Sequence, residues 1–217
     1  MGRARAVLLG MLFVLAVAGR AHAAPFFYDN GAPNQANGNE MTAWIQAEDF
    51  LLGSSTTLTG VRFWDVEQAQ SYQGSITWQV YDDGGGMPGT SLYSGTASPI
   101  HSATGNVLFF GNEFQNDFGL PNIALGAGTY WLALHNGPLT TMNRLEFYWE
   151  TTDPNSTLSA QEDPAPFIED WSSNGQEHAF QLFGETGAAA VPEPTTMLLV
   201  GTGLAAAIRQ RRRKQNS

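Results

Sequence analysis

The sequence has no cysteine among its 217 residues. Disulfide bonds, thiol catalysis and thiolate-bound zinc are therefore excluded, and the fold must rely on hydrophobic packing. Positive charge is also scarce: between residues 24 and 190 there are only two basic residues, Arg62 and Arg144, against 19 acidic ones, a net charge of −17. Such a surface repels phosphate groups, so we do not expect nucleic-acid binding. It suits a soluble protein, metal cations or a hydrated extracellular matrix.

The motifs of common hydrolases are missing as well. There is no Gly-x-Ser-x-Gly elbow and no His-Glu-x-x-His pair. His101, His135 and His178 are far apart in the sequence and do not form a metal-binding motif. Glu146 and Glu150 are four residues apart on a predicted strand, about 13 Å at 3.3 Å per residue. Because glycosidase carboxylates are roughly 5–9.5 Å apart, we interpret this pair as a solvated face; a pair from two different strands stays open.

The first 23 residues are typical of a secretory signal peptide. Arg3 and Arg5 give a positive start, residues 6–19 are apolar, and Ala21-His22-Ala23 is a small-x-small cleavage site. The apolar run is about 14 residues long, whereas a spanning helix needs about 20. We therefore predict cleavage after Ala23 by signal peptidase, and export of the remainder.

The C-terminal segment, residues 188–217, has three parts in a fixed order. Val191-Pro192-Glu193-Pro194 comes first, and its two prolines hold the chain extended. Residues 195–208 are apolar and would form a helix of about 21 Å, shorter than the roughly 30 Å hydrocarbon core. A basic cluster follows, which the positive-inside rule places on the cytoplasmic side as a membrane stop: Arg209, Arg211, Arg212, Arg213 and Lys214.

This order of parts resembles the PEP-CTERM sorting signal of Gram-negative bacteria. The resemblance covers about residues 191–214. It implies that the Pro-Glu-Pro motif is recognised by exosortase, a membrane-embedded transpeptidase-like enzyme, and that a short transmembrane helix anchors the chain transiently in the inner membrane. It further implies a destination in the cell envelope, at the outer surface or outside the cell, often in species that make exopolysaccharide.

Residues 24–187 are predicted to form one all-β domain. Residues 74–81 and 145–151 alternate apolar and polar side chains, the pattern of half-buried strands. Further strands are predicted at residues 26–29, 47–52, 58–66, 91–94, 107–114, 129–135 and 178–183. Turn-forming residues separate them, most clearly Asp82-Asp83-Gly84-Gly85-Gly86-Met87-Pro88-Gly89. Short strands with regular turns predict a single antiparallel β-sandwich, either jelly-roll or immunoglobulin-like.

Two segments resemble parts of secreted bacterial β-sandwich modules. One is residues 76–95, where a strand ending in Tyr81-Asp82 leads into the Gly/Pro hairpin; the other is residues 127–136, which contain Gly128-Thr129-Tyr130-Trp131. The resemblance covers residues 47–183 and implies the sandwich fold. Many such modules resemble carbohydrate-binding domains in fold.

Aromatic residues with polar neighbours are candidate stacking platforms for a sugar ring. Trp171 and Trp44 lie in or beside polar runs, and Tyr148 falls between two glutamates on the predicted polar face. Trp78 and Trp149 alternate with core positions, so we expect them to pack inside the domain.

Acidic residues on flexible turns are candidate calcium ligands, because calcium prefers carboxylate and carbonyl oxygens. These are Asp82, Asp83 and Asp29. A purely turn-forming role is the simpler interpretation, so structural calcium is the only cofactor that the sequence suggests.

The sequence thus predicts an exported, non-catalytic surface or matrix protein that contacts carbohydrate. Its expected partners are signal peptidase, an exosortase-type enzyme and an exopolysaccharide. The alternatives are a secreted glycan-active hydrolase and an ice- or surface-binding protein. The second would need a regular threonine array, and the threonines here repeat at no fixed period.

Overall fold

The computed structural model describes residues 26–108, 111–141, 143–155, 158–162 and 170–186. Within these ranges the chain forms thirteen strands and no helix, which confirms the all-β prediction. In the same residues there is consequently no helix with the length and apolarity to cross a membrane. The predicted signal peptide and the C-terminal segment lie outside the described residues.

The first sheet has seven strands. Five of them run in the order β1-β13-β4-β10-β2, β8 pairs with β4, and β7 pairs with β8. Every strand pair is antiparallel. The strands are β1 (Phe26–Asp29), β2 (Gly38–Glu40), β4 (Thr56–Glu67), β7 (Ile100–Leu108), β8 (Gly111–Leu125), β10 (Phe147–Glu150) and β13 (Phe180–Thr186).

The second sheet has six strands in the order β12-β11-β3-β9-β5-β6, again all antiparallel. They are β3 (Ile45–Leu52), β5 (Ile76–Asp83), β6 (Pro88–Ala97), β9 (Gly128–Asn136), β11 (Ser159–Glu162) and β12 (Trp171–Ser172). The two-residue segment of Ser98 and Pro99 joins β6 to β7, so the chain passes there from the edge of one sheet to the edge of the other.

One hydrophobic core joins the two sheets, as in a sandwich. Ile76, Trp78 and Val80 of β5 belong to the same buried cluster as Phe63 of β4 and Trp149 of β10. The alternation of apolar residues along β5 therefore points inward, as predicted. The expected packing roles of Trp78 and Trp149 are confirmed, since both side chains are buried. The choice between a jelly-roll and an immunoglobulin-like topology stays a prediction.

A second, smaller buried cluster covers the outer face of the six-stranded sheet. It contains Tyr81, Trp131 and four smaller residues, and Trp171 packs against it. The six-stranded sheet is therefore covered on both faces near β3, β5 and β9. Ile45, Tyr81 and Trp131, at outward positions of these strands, are buried for this reason, whereas Leu51 near the end of β3 is exposed.

The prediction of one strand over residues 107–114 is wrong. β7 ends at Leu108, β8 begins at Gly111, and these two residues pair across an antiparallel hairpin. The strands β2, β11 and β12 have only two to four residues each and were not predicted.

Candidate functional site

An open groove of about 390 Å³ lies on the outer face of the seven-stranded sheet. Arg62 of β4 and Asp117 of β8 are direct cross-strand partners at this position. The Arg62 Nε atom lies 2.6 Å from Asp117 Oδ1, and its Nη2 atom lies 3.0 Å from Oδ2. The two side chains are 24% and 29% exposed, so this bidentate ion pair is accessible to solvent. Gln115 Nε2 also donates to Asp117 Oδ2, at 2.8 Å.

Apolar side chains form the walls of this groove. The guanidinium carbon of Arg62 lies 5.5 Å from the ring centroid of Phe183 on β13, which fits a cation–π contact. Ile100, at the start of β7, is 71% exposed and also lines the groove. The site therefore combines a charged pair with an aromatic ring and an exposed aliphatic side chain.

Two glycines, Gly60 and Gly119, face each other across β4 and β8 in the groove. A Cβ atom on Gly60 would lie 3.0 Å from the Phe118 carbonyl oxygen and 3.4 Å from the Phe183 ring. Because neither residue has a side chain, the surface of the sheet forms a depression here, between Phe183 and Ile100. The paired glycines thus help to keep the groove open.

The three aromatic candidates from the sequence do not line this groove. Trp171 is half-buried and contacts Tyr81 edge-on, with ring centroids 5.4 Å apart. Trp44 is half-buried just before β3. Tyr148 is only 8% exposed, and its hydroxyl group donates to Glu146 at 2.7 Å and accepts from Arg144 at 2.9 Å. The expected exposure of Tyr148 is therefore wrong, because β10 is covered on both faces.

The three candidate calcium ligands accept hydrogen bonds from nearby N–H groups. Asp82 accepts from the Thr90 amide, and Asp83 accepts from the Gly86 amide at 2.9 Å and from Trp131 Nε1 at 3.1 Å. The Trp131 bond, followed by the Gly86 bond, lowers the pKa of Asp83.

Asp29, the third candidate, lies in the other sheet, where its carboxylate accepts from the Gly31 amide and from the Gln181 side chain. Among the described residues, no group of three or more His, Asp or Glu side chains is placed to hold a metal ion. The turn-forming role accounts for these bonds, and calcium binding stays a prediction.

The interpretation of Glu146 and Glu150 as a solvated pair is wrong for Glu150, which is fully buried. Its Oε1 atom accepts the Gln35 amide at 3.0 Å, and its side chain is in hydrogen-bond contact with Glu113 of β8. Loss of water, the Glu113 charge and the bond to Glu113 raise the pKa of Glu150 to about 8. At neutral pH the side chain of Glu150 is therefore mostly protonated.

The three histidines occupy separate structural sites. His178 is fully buried, stacks on Trp149 and has its Nδ1 atom 2.7 Å from Glu48 Oε2. Both ring nitrogens of His135 face backbone carbonyl groups. His101 packs between the rings of Tyr72 and Phe114.

Comparison with known proteins identifies one segment. Residues 190–213 match the family description "PEP-CTERM protein-sorting motif". The chain carries a PEP-CTERM sorting motif. No curated protein and no solved structure matches the chain.

The PEP-CTERM match covers the Pro-Glu-Pro tetrapeptide, the apolar stretch and the four arginines of the basic cluster. The predicted sorting residues Val191, Pro192, Glu193 and Pro194 lie outside the described residues, so they are identified by sequence. The motif implies processing by an exosortase-type enzyme, export, and a destination at the cell envelope or surface.

Proposed function

We propose that this is an exported, non-catalytic protein of the cell surface or extracellular matrix that binds carbohydrate in the groove containing Arg62 and Asp117. The PEP-CTERM motif supports the surface destination. The observation that carries the carbohydrate proposal is the solvent-accessible Arg62–Asp117 pair beside Phe183 and Ile100.

The chemistry of this groove suits a sugar ring. A sugar offers hydroxyl groups around its edge and apolar C–H groups on its faces. The Arg62–Asp117 pair provides donors and acceptors in one plane, and charge-assisted bonds of this kind are about twice as strong as neutral ones. Phe183 and Ile100 provide the apolar contact. An apolar site with a few well-placed polar groups is the usual form of a small-ligand site.

The carboxyl groups support a non-catalytic role. Asp117 is the one carboxylate in the lining of the groove, and Arg62 holds both of its oxygen atoms. Glu113 and Glu150 are buried, contact each other and do not line the groove. The groove therefore offers a binding surface without the acid–base pair that a hydrolase of this type uses.

A glycan-array screen tests this proposal. The protein is recovered after export from cells that express the full chain, and it is screened with calcium and with a chelator. We expect binding to at least one glycan without acidic groups, because the domain carries a net charge of −17 and repels acidic ones. Loss of binding with the chelator would show that binding needs calcium, for which Asp82, Asp83 and Asp29 are the candidate ligands.

Arg62→Gln and Arg144→Gln form a matched pair of variants, since these are the two arginines between residues 24 and 190. Arg62→Gln should weaken glycan binding about tenfold or more, equivalent to about 1.4 kcal/mol. Arg144→Gln should leave it unchanged, because Arg144 contacts Tyr148 and does not line the groove. The proposal is wrong if the wild type binds no glycan in either condition, or if both variants bind as the wild type does.

A further inference from the structure

Charge is distributed unevenly along the exported domain. Residues 24–190 contain 21 charged side chains. None of them lies in the 29 consecutive residues 84–112, between Asp83 and Glu113. The segment contains two titratable side chains, Tyr93 and His101, and burial lowers the pKa of His101, so the imidazole is uncharged at neutral pH. The segment is therefore a neutral surface on a strongly acidic molecule.

Two strands within this segment, β6 and β7, each form one edge of a sheet. In the described part of the chain, β6 pairs only with β5, and β7 pairs only with β8. The two edges lie side by side, because two residues join β6 to β7 and the Tyr93 hydroxyl group of β6 donates to the Ala124 carbonyl of β8 at 3.4 Å. One side of the sandwich thus presents two rows of backbone groups without a strand partner.

Exposed apolar side chains collect on this side. Six large apolar residues of the described chain are strongly exposed, and four of them lie in β6 or β7: Leu92, Tyr93, Ile100 and Val107. Natural edge strands are usually protected by lysines or other charges that point outward. β6 and β7 have no charged residue. The pairing of β6 with β5 is irregular opposite residues 80–83, and the pairing of β7 with β8 is irregular between Ala103 and Val107, at Gly105.

We infer that this side, the β6 edge together with residues 100–103 of β7, is the contact surface for a second copy of the same chain. An edge strand is self-complementary, because two copies related by a twofold axis pair antiparallel and satisfy each other's backbone groups. A contact through the sides that carry the acidic residues would bring like charges together, which is unfavourable. A cationic partner would instead favour the acidic sides. A second acidic chain is the partner for which a neutral edge is required.

The dimer continues both sheets across the twofold axis. Because β6 and β7 belong to different sheets on the same side, one contact joins sheet to sheet twice. The two grooves with Arg62 and Asp117 are then held by one rigid body. Ile100 belongs to both the dimer contact and the groove, so the two proposals are tested separately at Leu92, which does not line the groove.

The oligomeric state of the exported protein tests the inference. Analytical ultracentrifugation over a concentration series should show a reversible monomer–dimer equilibrium for the wild type. Leu92→Glu places a charge at the edge and should shift the dissociation constant at least tenfold towards monomer. Leu51→Glu is the matched control, because Leu51 is 66% exposed on β3, in the interior of the six-stranded sheet, and its variant should dimerise as the wild type does.

Single cysteines give an independent readout, because the chain has no cysteine and any disulfide must join two copies. Leu92→Cys, Ser94→Cys and Thr96→Cys are made one at a time on β6, with Leu51→Cys as control. At least one β6 variant should form a disulfide-linked dimer under mild oxidation, since a residue near the twofold axis brings its Cα atoms within about 7 Å. A wild type that stays monomeric up to its solubility limit would overturn the inference, as would a dimer that Leu92→Glu leaves intact or that links best through Leu51→Cys.

Discussion

Glu150 shows how burial changes the chemistry of a single acidic residue. Its side chain lies on the face of β10 that turns away from the core, where the segment around Gln35 and Glu113 of β8 exclude water from it. An exposed glutamate ionises near pH 4.5, whereas the pKa of Glu150 is raised to about 8. The folded chain therefore binds this proton more tightly than the unfolded chain does.

The raised pKa of Glu150 has a consequence for stability. Its contribution is fully present below pH 4.5, the value for the unfolded group, and it is lost as the pH rises through about 8. Glu150→Gln keeps the size and hydrogen-bonding capacity of the side chain but cannot ionise. Between these two pH values the free energy of unfolding should fall further in the wild type than in Glu150→Gln, by at least about 1.4 kcal/mol, which corresponds to a tenfold difference in proton affinity.

Urea unfolding of the exported protein at both pH values measures this difference. Glu185→Gln serves as control, because Glu185 is exposed near the end of β13, and this variant should follow the wild-type pH dependence. Parallel pH dependences for the wild type and Glu150→Gln would show that the pKa of Glu150 is the same in the folded and the unfolded chain.

Alternation along a strand predicted some residue positions and not others. It placed Trp78 and Trp149 in the core, where both are found. It also placed Tyr148 and Glu150 on a solvated face, which is wrong because distant segments cover that face, such as the segment from Asn34 to Asn37 that bonds to Thr151 and Glu150. Alternation shows which side chains share a face of a strand, but it does not show what packs against the second face.

At the scale of elements, β8 depends on close approach to β4 at one end. A Cβ atom on Gly111 would collide with the Glu67 carbonyl group, whereas one on Gly119 would lie 3.8 Å from the nearest atom, the Thr59 carbonyl oxygen. Gly111→Ala should therefore destabilise the domain by about 1–3 kcal/mol, the usual cost of overpacking. Gly119→Ala should be neutral or stabilising, because glycine is unfavourable within a strand.

Thermal unfolding of the two variants, side by side, checks this difference. Both substitutions add one methyl group to the same strand, so they differ mainly in the space around it. Equal melting temperatures for the two variants would mean that the end of β8 can move away from β4 without cost.

The sequence pattern did not predict the hairpin of β7 and β8. Residues 107–110 are Val-Leu-Phe-Phe, an apolar run that is typical of a strand interior, yet the chain reverses between Leu108 and Gly111. Further along, β8 continues past Pro121 by means of an irregular pairing with β4 and a positive φ of 53° at Asn122. Proline usually ends a strand, so local patterns could not show that this strand has 15 residues.

At the scale of the whole molecule, a motif within one continuous segment could be predicted from the sequence. A site formed by residues that are distant in the sequence could not. The PEP-CTERM motif lies within 24 consecutive residues and was identified from the sequence. The groove combines Arg62, Asp117 and Phe183, which only strand pairing through β4, β8 and β13 brings together. The stretch without charged residues, 84–112, could not be interpreted before the structure showed that it contains β6 and β7, two adjacent edge strands.

Acidic and basic residues lie in different parts of the chain. The neutral and acidic surfaces belong to the described domain, whereas eight of the ten basic residues lie in the two terminal segments. Removal of those segments would leave a strongly acidic sandwich at the cell surface.

The sorting role of residues 190–213 is tested most directly by replacing Pro192, Glu193 and Pro194 with alanine in a host that has an exosortase. Mass spectrometry of the C-terminus and fractionation of the cells then follow the wild type and the variant. The wild type should reach the surface or the medium without its basic cluster. The variant should remain in the membrane at full length, because the processing enzyme no longer recognises it. Identical C-termini and identical localisation of the two proteins would contradict sorting through this motif.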